Sequence, residues 1–414
     1  MRLFWLELKR VLRTRSTIVI LAIALVLSIM MAWLPVSYIK LTLPDGNGGE
    51  TKVTGMQALA EAKERRSEYS GEITPEMMEK ALAQYQDTVE QYGDPYEEEF
   101  PLEVDVEQLF PVTHLTRRLV EVYANENGMA PEVADLTQED AARFYEQCTV
   151  HIGDLMKLEQ SKYPDAQRQA KELYSKVEQP FYYYPGYTTD ALEYVGMYVF
   201  LLVFFCTLIA APIFSSEYQT GSDDILRCTK HGRIRLAVTK IATALLLFVV
   251  TFAVCMTIFT VVSNSLFGWE CRQTSLQIIS SAATLVNLTL GGAQNWITGM
   301  GLLSLLATAS FTLFLSSVCC SNVKALGLSL GFLVGPSIFY MLTNSQLIAW
   351  LRCIMPSGAV GLMNSFTYTI TGFEFLHIGQ KCFWPPVVMF VAELIAIPLF
   401  LVLTVRCYQK HISR

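Results

Sequence analysis

Six long apolar runs restrict what this chain can fold into more than any other feature. The first, Thr17–Val36, has no charged side chain. A helix of about 20 residues crosses the roughly 30 Å of hydrocarbon in a bilayer, where backbone polar groups must be satisfied internally. The pattern predicts an all-α polytopic membrane protein with six transmembrane helices. The other five runs are Leu192–Phe214, Ala237–Ser263, Trp296–Val318, Lys324–Thr343 and Pro386–Arg406.

A cleavable signal peptide is the alternative for the first run. The apolar region of a signal peptide spans about 7–15 residues and ends at a small-residue cleavage site. Here the run ends Met-Ala-Trp-Leu-Pro, so we assign transmembrane helix 1 to residues 17–37. Residues 1–16 place apolar and basic side chains on opposite sides of a helix, which predicts a cytosolic amphipathic helix at the membrane surface. A basic flank that only orients the next span is the alternative.

Residues 38–190 separate the first two runs and have a different composition. Residues 41–190 hold 30 Asp or Glu against 13 Lys or Arg, whereas the rest of the chain holds 8 against 18. Helix start signals recur, as in Thr74-Pro75-Glu76, where an N-cap, a first-turn proline and an acid follow one another. Strand-like alternation is scarce. We therefore predict an acidic, mostly helical domain that is large enough to bury its own core.

The distribution of Lys and Arg predicts the orientation of the chain. The termini and the segments on their side of the membrane carry twelve of these residues, five of them in residues 1–16 and four in residues 215–236. The short segments on the other side carry three, namely Arg272, Arg352 and Lys381. Because short cytoplasmic segments are enriched in Lys and Arg, both termini are predicted in the cytosol and residues 38–190 outside it. Residues 191–414 then hold transmembrane helices 2–6.

Two segments on the outer side are too apolar to be ordinary loops. Leu276–Leu290 and residues 345–385 mix Ile, Leu, Phe and Trp with Gly, Ser and Thr. Irregular backbone is not tolerated in contact with lipid, so we predict interfacial or re-entrant helices that are buried in protein. The Pro356-Ser357-Gly358 sequence suits the turn of an external re-entrant segment.

Two features of the predicted spans are candidates for packing or function. Gly327, Gly331 and Gly335 recur every four residues and form a smooth helical face, which packs on another span or on a second copy of the chain. Glu393 lies in the outer part of the last span, where an acid is a functional candidate, although a hydrogen-bonded packing role is the alternative. Outside the spans, Cys353 and Cys382 either pair or stay free.

Several kinds of chemistry have no motif in this sequence. There is no G-x-x-x-x-G-K-[ST] phosphate loop and no H-E-x-x-H metal site. The ten cysteines include no C-x-x-C pair and no Cys/His spacing typical of zinc. Basic residues flank apolar runs and do not cluster on a soluble face, which argues against nucleic-acid binding. We therefore expect no metal, no cofactor and no enzymatic activity in this chain.

The polar, basic stretch from Phe214 to Lys240 lies between the second and third runs. Its sequence is FSSEYQTGSDDILRCTKHGRIRLAVTK. An acid where the second span leaves the membrane, Glu217, is followed by Thr220-Gly221, by the apolar pair Ile225-Leu226 and by a basic run that extends to Arg235. This order resembles the cytoplasmic loop of type-2 ATP-binding-cassette (ABC) permeases, whose six spans and cytosolic termini also match. Cys228-Thr229 replace the proline that is usual in that family. Some members of that family carry a large extracellular domain between the first two spans.

The resemblance implies an ABC exporter permease of a bacterial plasma membrane, in a homodimer or with a related permease. A separate cytosolic ATPase subunit would bind ATP and Mg²⁺ and dock on a coupling helix at about Glu217–Lys230. Ile225 and Leu226 would be buried in the ATPase, and charged residues would fix the register at the rim. The residues so implied are Glu217, Thr220, Gly221, Asp223, Asp224, Ile225, Leu226, Arg227, Lys230, Arg233 and Arg235.

Two other functions remain open at this point. One is a membrane-bound sensor or resistance component whose outer domain binds a peptide or a cell-wall ligand. The other is a mechanotransmission permease, a class with three spans after its external domain, whereas five are predicted here. The acidic domain would attract cationic peptides, but acidity also serves solubility. Candidate substrates of the exporter are peptides, antibiotics and lipid-like compounds.

Overall fold

The computed structural model describes residues 2–45, 49–97, 99–125, 127–228, 232–342, 345–361 and 366–410. Within these residues, six helical segments are long and apolar enough to cross a membrane, which confirms the predicted all-α polytopic fold. A short helix, α1 (Arg2–Arg13), precedes them. The segments are α2 (Arg15–Ser37), α10 (Thr189–Ala210) continued by α11 (Pro212–Thr220), α13 (Ile234–Phe267), α15 (Leu290–Val318), α16 (Asn322–Leu342) and α19 (Pro385–Lys410).

Residues 38–188, here called the insert domain, fold between α2 and α10. The helices in it are α3 (Gly55–Arg65), α4 (Pro75–Tyr92), α5 (Leu102–Val104), α6 (Thr113–Val122), α7 (Gln138–Ala142), α8 (Phe144–Glu159) and α9 (Pro164–Tyr174). Two small antiparallel sheets pair β1 (Lys40–Pro44) with β2 (Glu50–Thr54) and β3 (Gly71–Glu72) with β4 (Tyr182–Tyr183). The end of the membrane bundle next to this domain is called the insert end, and the opposite end the loop end.

The helix signals in the insert domain work as the sequence predicts. Thr74 accepts a hydrogen bond from Met77 N at 3.3 Å and so caps α4, with Pro75 in the first turn. Thr137 and Asp140 form a reciprocal capping box at the start of α7. The helices bury a core around Leu119, Phe144 and other apolar side chains, so the domain is mostly helical as expected.

The connection between α13 and α15 is built into the core of the insert domain. Its helical parts are short, a 3-10 turn (Trp269–Gln273) and α14 (Leu276–Ile279). Ala282 and Leu285 then pack with the insert core, and the carbonyl of Ala282 accepts a 3.0 Å bond from Tyr174. The expected interfacial or re-entrant helix over Leu276–Leu290 is therefore wrong beyond the single turn of α14, whereas the expected burial of this segment in protein is found. Irregular backbone is tolerated here because the insert domain supplies its hydrogen-bond partners.

Residues 345–385 have two parts with different environments. Helix α17 (Gln346–Ile354) leads into a turn that enters the bundle, where Ser357 donates to Phe332 O at 2.9 Å and Thr308 donates to Pro356 O at 3.0 Å. Beyond α18 (Phe366–Thr371), a hairpin of β5 (Leu376–Ile378) and β6 (Lys381–Phe383) packs on the insert domain. The sequence predicted helices throughout and missed this hairpin.

The hairpin is anchored to α9 by a partly buried hydrogen bond. Asp165 accepts a 2.9 Å bond from Cys382 N, and this bond lowers the pKa of the carboxyl group. A lowered pKa means that the contact favours the folded state above the ordinary pKa of Asp, and that this contribution is lost as the pH falls through the lowered value. Cys353 and Cys382 are both buried and free, so the optional disulfide is not formed.

Glu393 of α19 is completely buried and connects three parts of the bundle. One carboxylate oxygen accepts bonds from Ser304 Oγ of α15 at 2.6 Å and from Ala359 N of the inserted turn at 3.4 Å. These contacts satisfy Oε1, whereas the buried Oε2 has no hydrogen-bond partner among the described residues. A functional role for Glu393 stays a prediction.

The glycine face of α16 is only partly used within the chain. A Cβ atom on Gly335 would lie 3.0 Å from Met355 of the inserted turn, so this glycine permits close packing there. Gly327 and Gly331 are exposed, and a Cβ atom on either would meet no described atom within 4 Å. The three glycines therefore do not share one partner in the chain.

Gly301 on α15 is the glycine whose replacement should disturb the bundle most directly. A Cβ atom there would lie 2.5 Å from Val199 Cγ1 of α10 and 3.4 Å from Phe252 of α13. We expect Gly301→Leu to destabilise the protein by about 1–3 kcal/mol through overpacking and to lower its melting temperature in detergent. Gly299→Leu is the matched control, because a Cβ atom there meets nothing within 4 Å. Equal melting temperatures of the two variants would contradict this packing.

Candidate functional site

The second span is interrupted two turns before it leaves the bundle at the loop end. Helix α10 ends at Ala210, and Pro212 occupies the first turn of α11, a position that needs no backbone N–H. Ser316 of α15 supplies the missing partners. Its hydroxyl accepts from Phe214 N at 3.0 Å and from Ser215 N at 3.1 Å, and it donates to Ala211 O at 2.6 Å. The backbone groups of Ala211, Phe214 and Ser215 at the turn between α10 and α11 therefore all have a hydrogen-bond partner in Ser316.

Glu217 on α11 is the centre of an ion cluster in which Glu217 and Lys240 are buried and Arg10 is 41% exposed. The carboxylate oxygen Oε1 contacts Lys240 Nζ of α13 in an ion pair, and it accepts a 2.5 Å bond from Arg10 Nη1 of α1. A second acid, Glu7, contacts Arg10 Nη2 at 2.8 Å. The side chains of Glu217 and Lys240 are 4% and 0% exposed. One carboxylate thus joins the amphipathic helix to the second and third spans.

The low exposure decides how much this cluster matters to the fold. Surface ion pairs contribute little because water competes for both charges. A buried charge without its partner costs several kcal/mol, so every member of a buried pair is needed once the others are present. The ammonium of Lys240 also lies 5.3 Å from the ring centre of Phe214, a cation–π contact that adds to its retention in the interior.

Helix α11 contacts the other spans as well. Ser215 donates a 2.6 Å bond to Asn322 Oδ1 at the start of α16. The rings of Phe214 and Tyr218 lie 5.2 Å and 6.5 Å from the ring of Tyr408 on α19. Movement of α11 would therefore affect α16 and α19 as well as α15.

The stretch after α11 corrects the predicted coupling helix. A single helix over Glu217–Lys230 is wrong, because Thr220 ends α11 and a second helix, α12, runs from Ser222 to Arg227. Gly221 between them has φ 68°, a left-handed conformation that is strained for residues with a side chain. The Thr220-Gly221 pair predicted from sequence is therefore a helix stop.

The apolar pair of the loop is divided between two environments. Ile225 is 74% exposed, whereas Leu226 packs against the core of the membrane bundle. Asp223 is buried and Asp224 is exposed, so the two acids do not both lie at a rim as expected. Of this apolar pair, Ile225 is therefore the exposed member.

The basic part of the loop is described only in part. Arg227 is the last residue of α12, and Lys230 lies outside the described residues. Arg233 immediately precedes α13 and Arg235 lies in its first turn, and both are exposed. The structure thus brings Glu217, Thr220, Gly221 and the acids close together along α11 and α12, with these arginines at the start of the next span.

Sequence reasoning missed the partners of Glu217. The sequence pattern places Arg10 only among the basic residues of an amphipathic helix, and it gives Ser316 no particular role. The sequence does contain an indication of these partners. An acid where a span leaves the membrane needs a basic partner, and Arg10 and Lys240 both lie near the cytosolic ends of their predicted helices. Ser316, a small polar residue in an apolar run, gave no signal of its own.

Comparison with known proteins gives a match over almost the whole chain. The sequence model of a family described as ABC-2 family transporter protein matches residues 1–411. No curated protein and no solved structure matches the chain significantly. The matched range includes the six spans, the insert domain and the Glu217 cluster.

Removal of the Glu217 charge should destabilise the whole bundle. We expect Glu217→Gln to cost about 3–5 kcal/mol, because it leaves Lys240 and Arg10 without their shared carboxylate, and to lower the melting temperature of the purified protein. The double variant with Lys240→Met should recover part of that loss. Glu139→Gln is the control, because its pair with Arg143 is exposed and should contribute less than about 1 kcal/mol. A loss no larger than that of the control would contradict the role of the cluster.

Proposed function

Because the chain belongs to the ABC-2 transporter family, it is a multi-pass membrane permease subunit of an ABC transporter, and we propose that it works as an exporter. The cargo would be a peptide, an antibiotic or a lipid-like compound. A separate ATPase subunit would bind ATP and Mg²⁺ and supply the energy. Both termini and α12 would face the cytosol of a bacterial cell, and the insert domain would lie outside, as the excess of Lys and Arg at the loop end suggests.

The observation that carries the proposal is the exposed Ile225 on a short helix between two spans. Helix α12 has six residues, and its Ile225 is one of the most exposed large apolar side chains of the described chain. An exposed apolar side chain such as Ile225 can insert into a small apolar pocket of a partner. The exposed carboxylate of Asp224 beside it can then orient the contact. We propose α12, rather than the longer helix predicted from sequence, as the ATPase-docking element.

The Glu217 cluster supports a route from that docking element into the membrane. Helix α12 follows α11 directly at Gly221, and α11 is tied to α13 through Glu217 and Lys240. Helix α13 has 34 residues and is therefore about 50 Å long, more than a bilayer needs. A displacement of α12 by the ATPase would be passed through the ion cluster to a long rigid helix, as in other hinge and shear movements.

The proposed transporter contains a second permease copy. Gly327 and Gly331 lie on an exposed face of α16, which suits close helix approach in a membrane. We propose that this face contacts α16 of an identical chain; a related permease is the other candidate. Gly331→Leu should then lower the dimer fraction of detergent-purified protein measured by light scattering. Gly299→Leu on α15 should not, and an unchanged dimer fraction in Gly331→Leu would count against this interface.

Replacement of Ile225 tests the docking role of α12. Ile225→Asp should reduce co-purification of a co-expressed partner ABC ATPase by roughly tenfold or more, because a charge is placed in an apolar socket. The melting temperature should change little, since the side chain of Ile225 is 74% exposed. Leu226→Asp is less informative because Leu226 packs on the bundle. Met129→Asp is the control, an equally drastic change of an exposed residue in the insert domain. Unchanged ATPase association in Ile225→Asp would refute the assignment.

A membrane-bound sensor is the second candidate function, and the size and acidity of the insert domain favour it. Such a sensor would bind a peptide or cell-wall ligand through that domain and signal through the ATPase partner. The two functions differ in what the reconstituted complex does. An exporter moves labelled substrate into inverted vesicles when ATP is added, whereas a sensor binds ligand and changes ATPase activity without net transport.

A further inference from the structure

Helix α13 differs from the other membrane spans in the residues that build it. Its 34 residues, Ile234–Phe267, include neither proline nor glycine. Each of the other five segments contains at least one of these residues, as at Pro35, Pro212, Gly301, Pro336 and Pro398. Proline removes a backbone hydrogen bond from a helix and glycine loosens its backbone, so helices bend most readily there. Helix α13 is therefore the span best suited to move as one rigid body between the two ends of the bundle.

A lysine of the insert domain binds the end of this helix. Lys63 of α3 donates a 2.9 Å hydrogen bond from Nζ to the carbonyl oxygen of Phe267, the last residue of α13, and a 2.7 Å bond to Glu270 Oε1. The last carbonyl groups of a helix have no partner within the helix and form the negative end of its dipole, so a cation is favoured there. Lys63 thus joins α3 to the end of α13 through two bonds.

The last residues of the insert domain contact the same helix end. The ring centre of Tyr187 lies 4.6 Å from that of Phe267, and the thiol of Cys271 donates a 3.2 Å bond to Pro185 O. A Cβ atom on Gly186 would lie 3.0 Å from Phe267 O, so the backbone approaches the helix end more closely than a side chain would allow. The end of α13 is therefore held both by α3 and by the segment that leads from the insert domain into α10.

The residues that follow α13 extend this contact to the backbone of the insert domain. Ser275 N donates a 2.8 Å bond to Tyr182 O, and Tyr184 N donates a 2.9 Å bond to Thr274 Oγ1. Tyr182 belongs to β4, which pairs with β3 in the insert domain. A displacement of the end of α13 would therefore act on the backbone of the insert domain and not only on side chains at its surface.

The ion pairs at the two ends of α13 differ in burial. At the loop end, the side chains of Lys240 and Glu217 are 0% and 4% exposed, whereas at the insert end those of Lys63 and Glu270 are 29% and 50% exposed. Water competes for the charges of an exposed pair, so the bonds of Lys63 should contribute little to stability. Their place at the carbonyl end of a rigid helix suits the transmission of a movement between α13 and α3.

We propose that Lys63 is a positioning residue that couples the insert domain to α13, so that the insert domain changes position during the ATP cycle. This coupling rests on the proposed function, in which the ATPase displaces α12 and, through Glu217 and Lys240, also α13. Lys63 carries that displacement from the end of α13 to α3. Because coupling between two sites is reciprocal, a ligand that holds the insert domain in one position would change the affinity of the complex for ATP.

Distance measurements on the full-length protein in complex with a co-expressed partner ABC ATPase test the coupling. Spin-labelled non-natural residues replace Tyr96 of the insert domain and Val323 at the loop end, which are 91% and 78% exposed. Trapping with ATP and vanadate should change the distance between the two labels, measured by pulsed electron paramagnetic resonance. Lys63→Met should lose about half of that change or more, and Lys63→Arg, which keeps the charge, should retain most of it. Lys80→Met is the matched control, because the pair of Lys80 with Glu68 is exposed and lies within the insert domain.

The outcomes distinguish this coupling from the proposed function. A distance change that Lys63→Met reduces and Lys80→Met leaves intact supports the coupling. An undiminished change in Lys63→Met, an equal loss in Lys80→Met, or no change in the unmodified complex while the ATPase binds and hydrolyses ATP overturns the coupling and leaves the proposed function standing. Failure of the unmodified protein to bind the ATPase would refute both. If Lys63→Met does not fold, Glu270→Ala decides, and an undiminished distance change in that variant rejects the coupling.

Discussion

The carboxylate of Glu217 is the constraint on which the membrane bundle depends most directly. It neutralises a lysine that has no access to water and an arginine that reaches in from the amphipathic helix. Since an ammonium in a protein interior is tolerated only beside a counter-charge, separation of α11 from α13 would leave Lys240 as an uncompensated buried charge. The hydroxyl of Ser316 accepts hydrogen bonds from Phe214 N and Ser215 N just after Pro212, and so fixes the start of α11, the helix that carries Glu217.

The insert domain and the bundle are coupled by a different kind of force. Ala282 and Leu285 from a connection between spans belong to the core of the insert domain, and so does Phe375. Hydrogen bonds to backbone groups, such as that from Tyr174 to Ala282, reinforce these contacts. At the insert end, apolar burial is supplemented by the ion pair of Lys63 with Glu270, whereas at the loop end the buried pair of Glu217 and Lys240 lies beside apolar contacts such as that of Phe214 with Tyr408.

The sequence allowed the six spans, the helical insert and the location of the loop helix to be predicted, because these follow from hydropathy, helix caps and charge. It did not allow their contacts to be predicted. The break at Gly221, the inward packing of Leu226 and the partners of Glu217 depend on which helices meet, and local periodicity does not contain that information. The hairpin at residues 376–383 was missed because its strands are only three residues long and pair under the insert domain.

The shared core has a consequence for the order in which the chain is made. Residues that complete the interior of the insert domain, such as Leu285 and Cys382, are synthesised after the domain's own last helix, up to about 200 residues later. At roughly 5–20 residues per second, that delay is on the order of 10–40 s. During this interval the insert domain lacks the core residues that the later segments supply. The apolar side chains that pack on those residues in the folded protein must therefore be shielded until the later spans have entered the membrane.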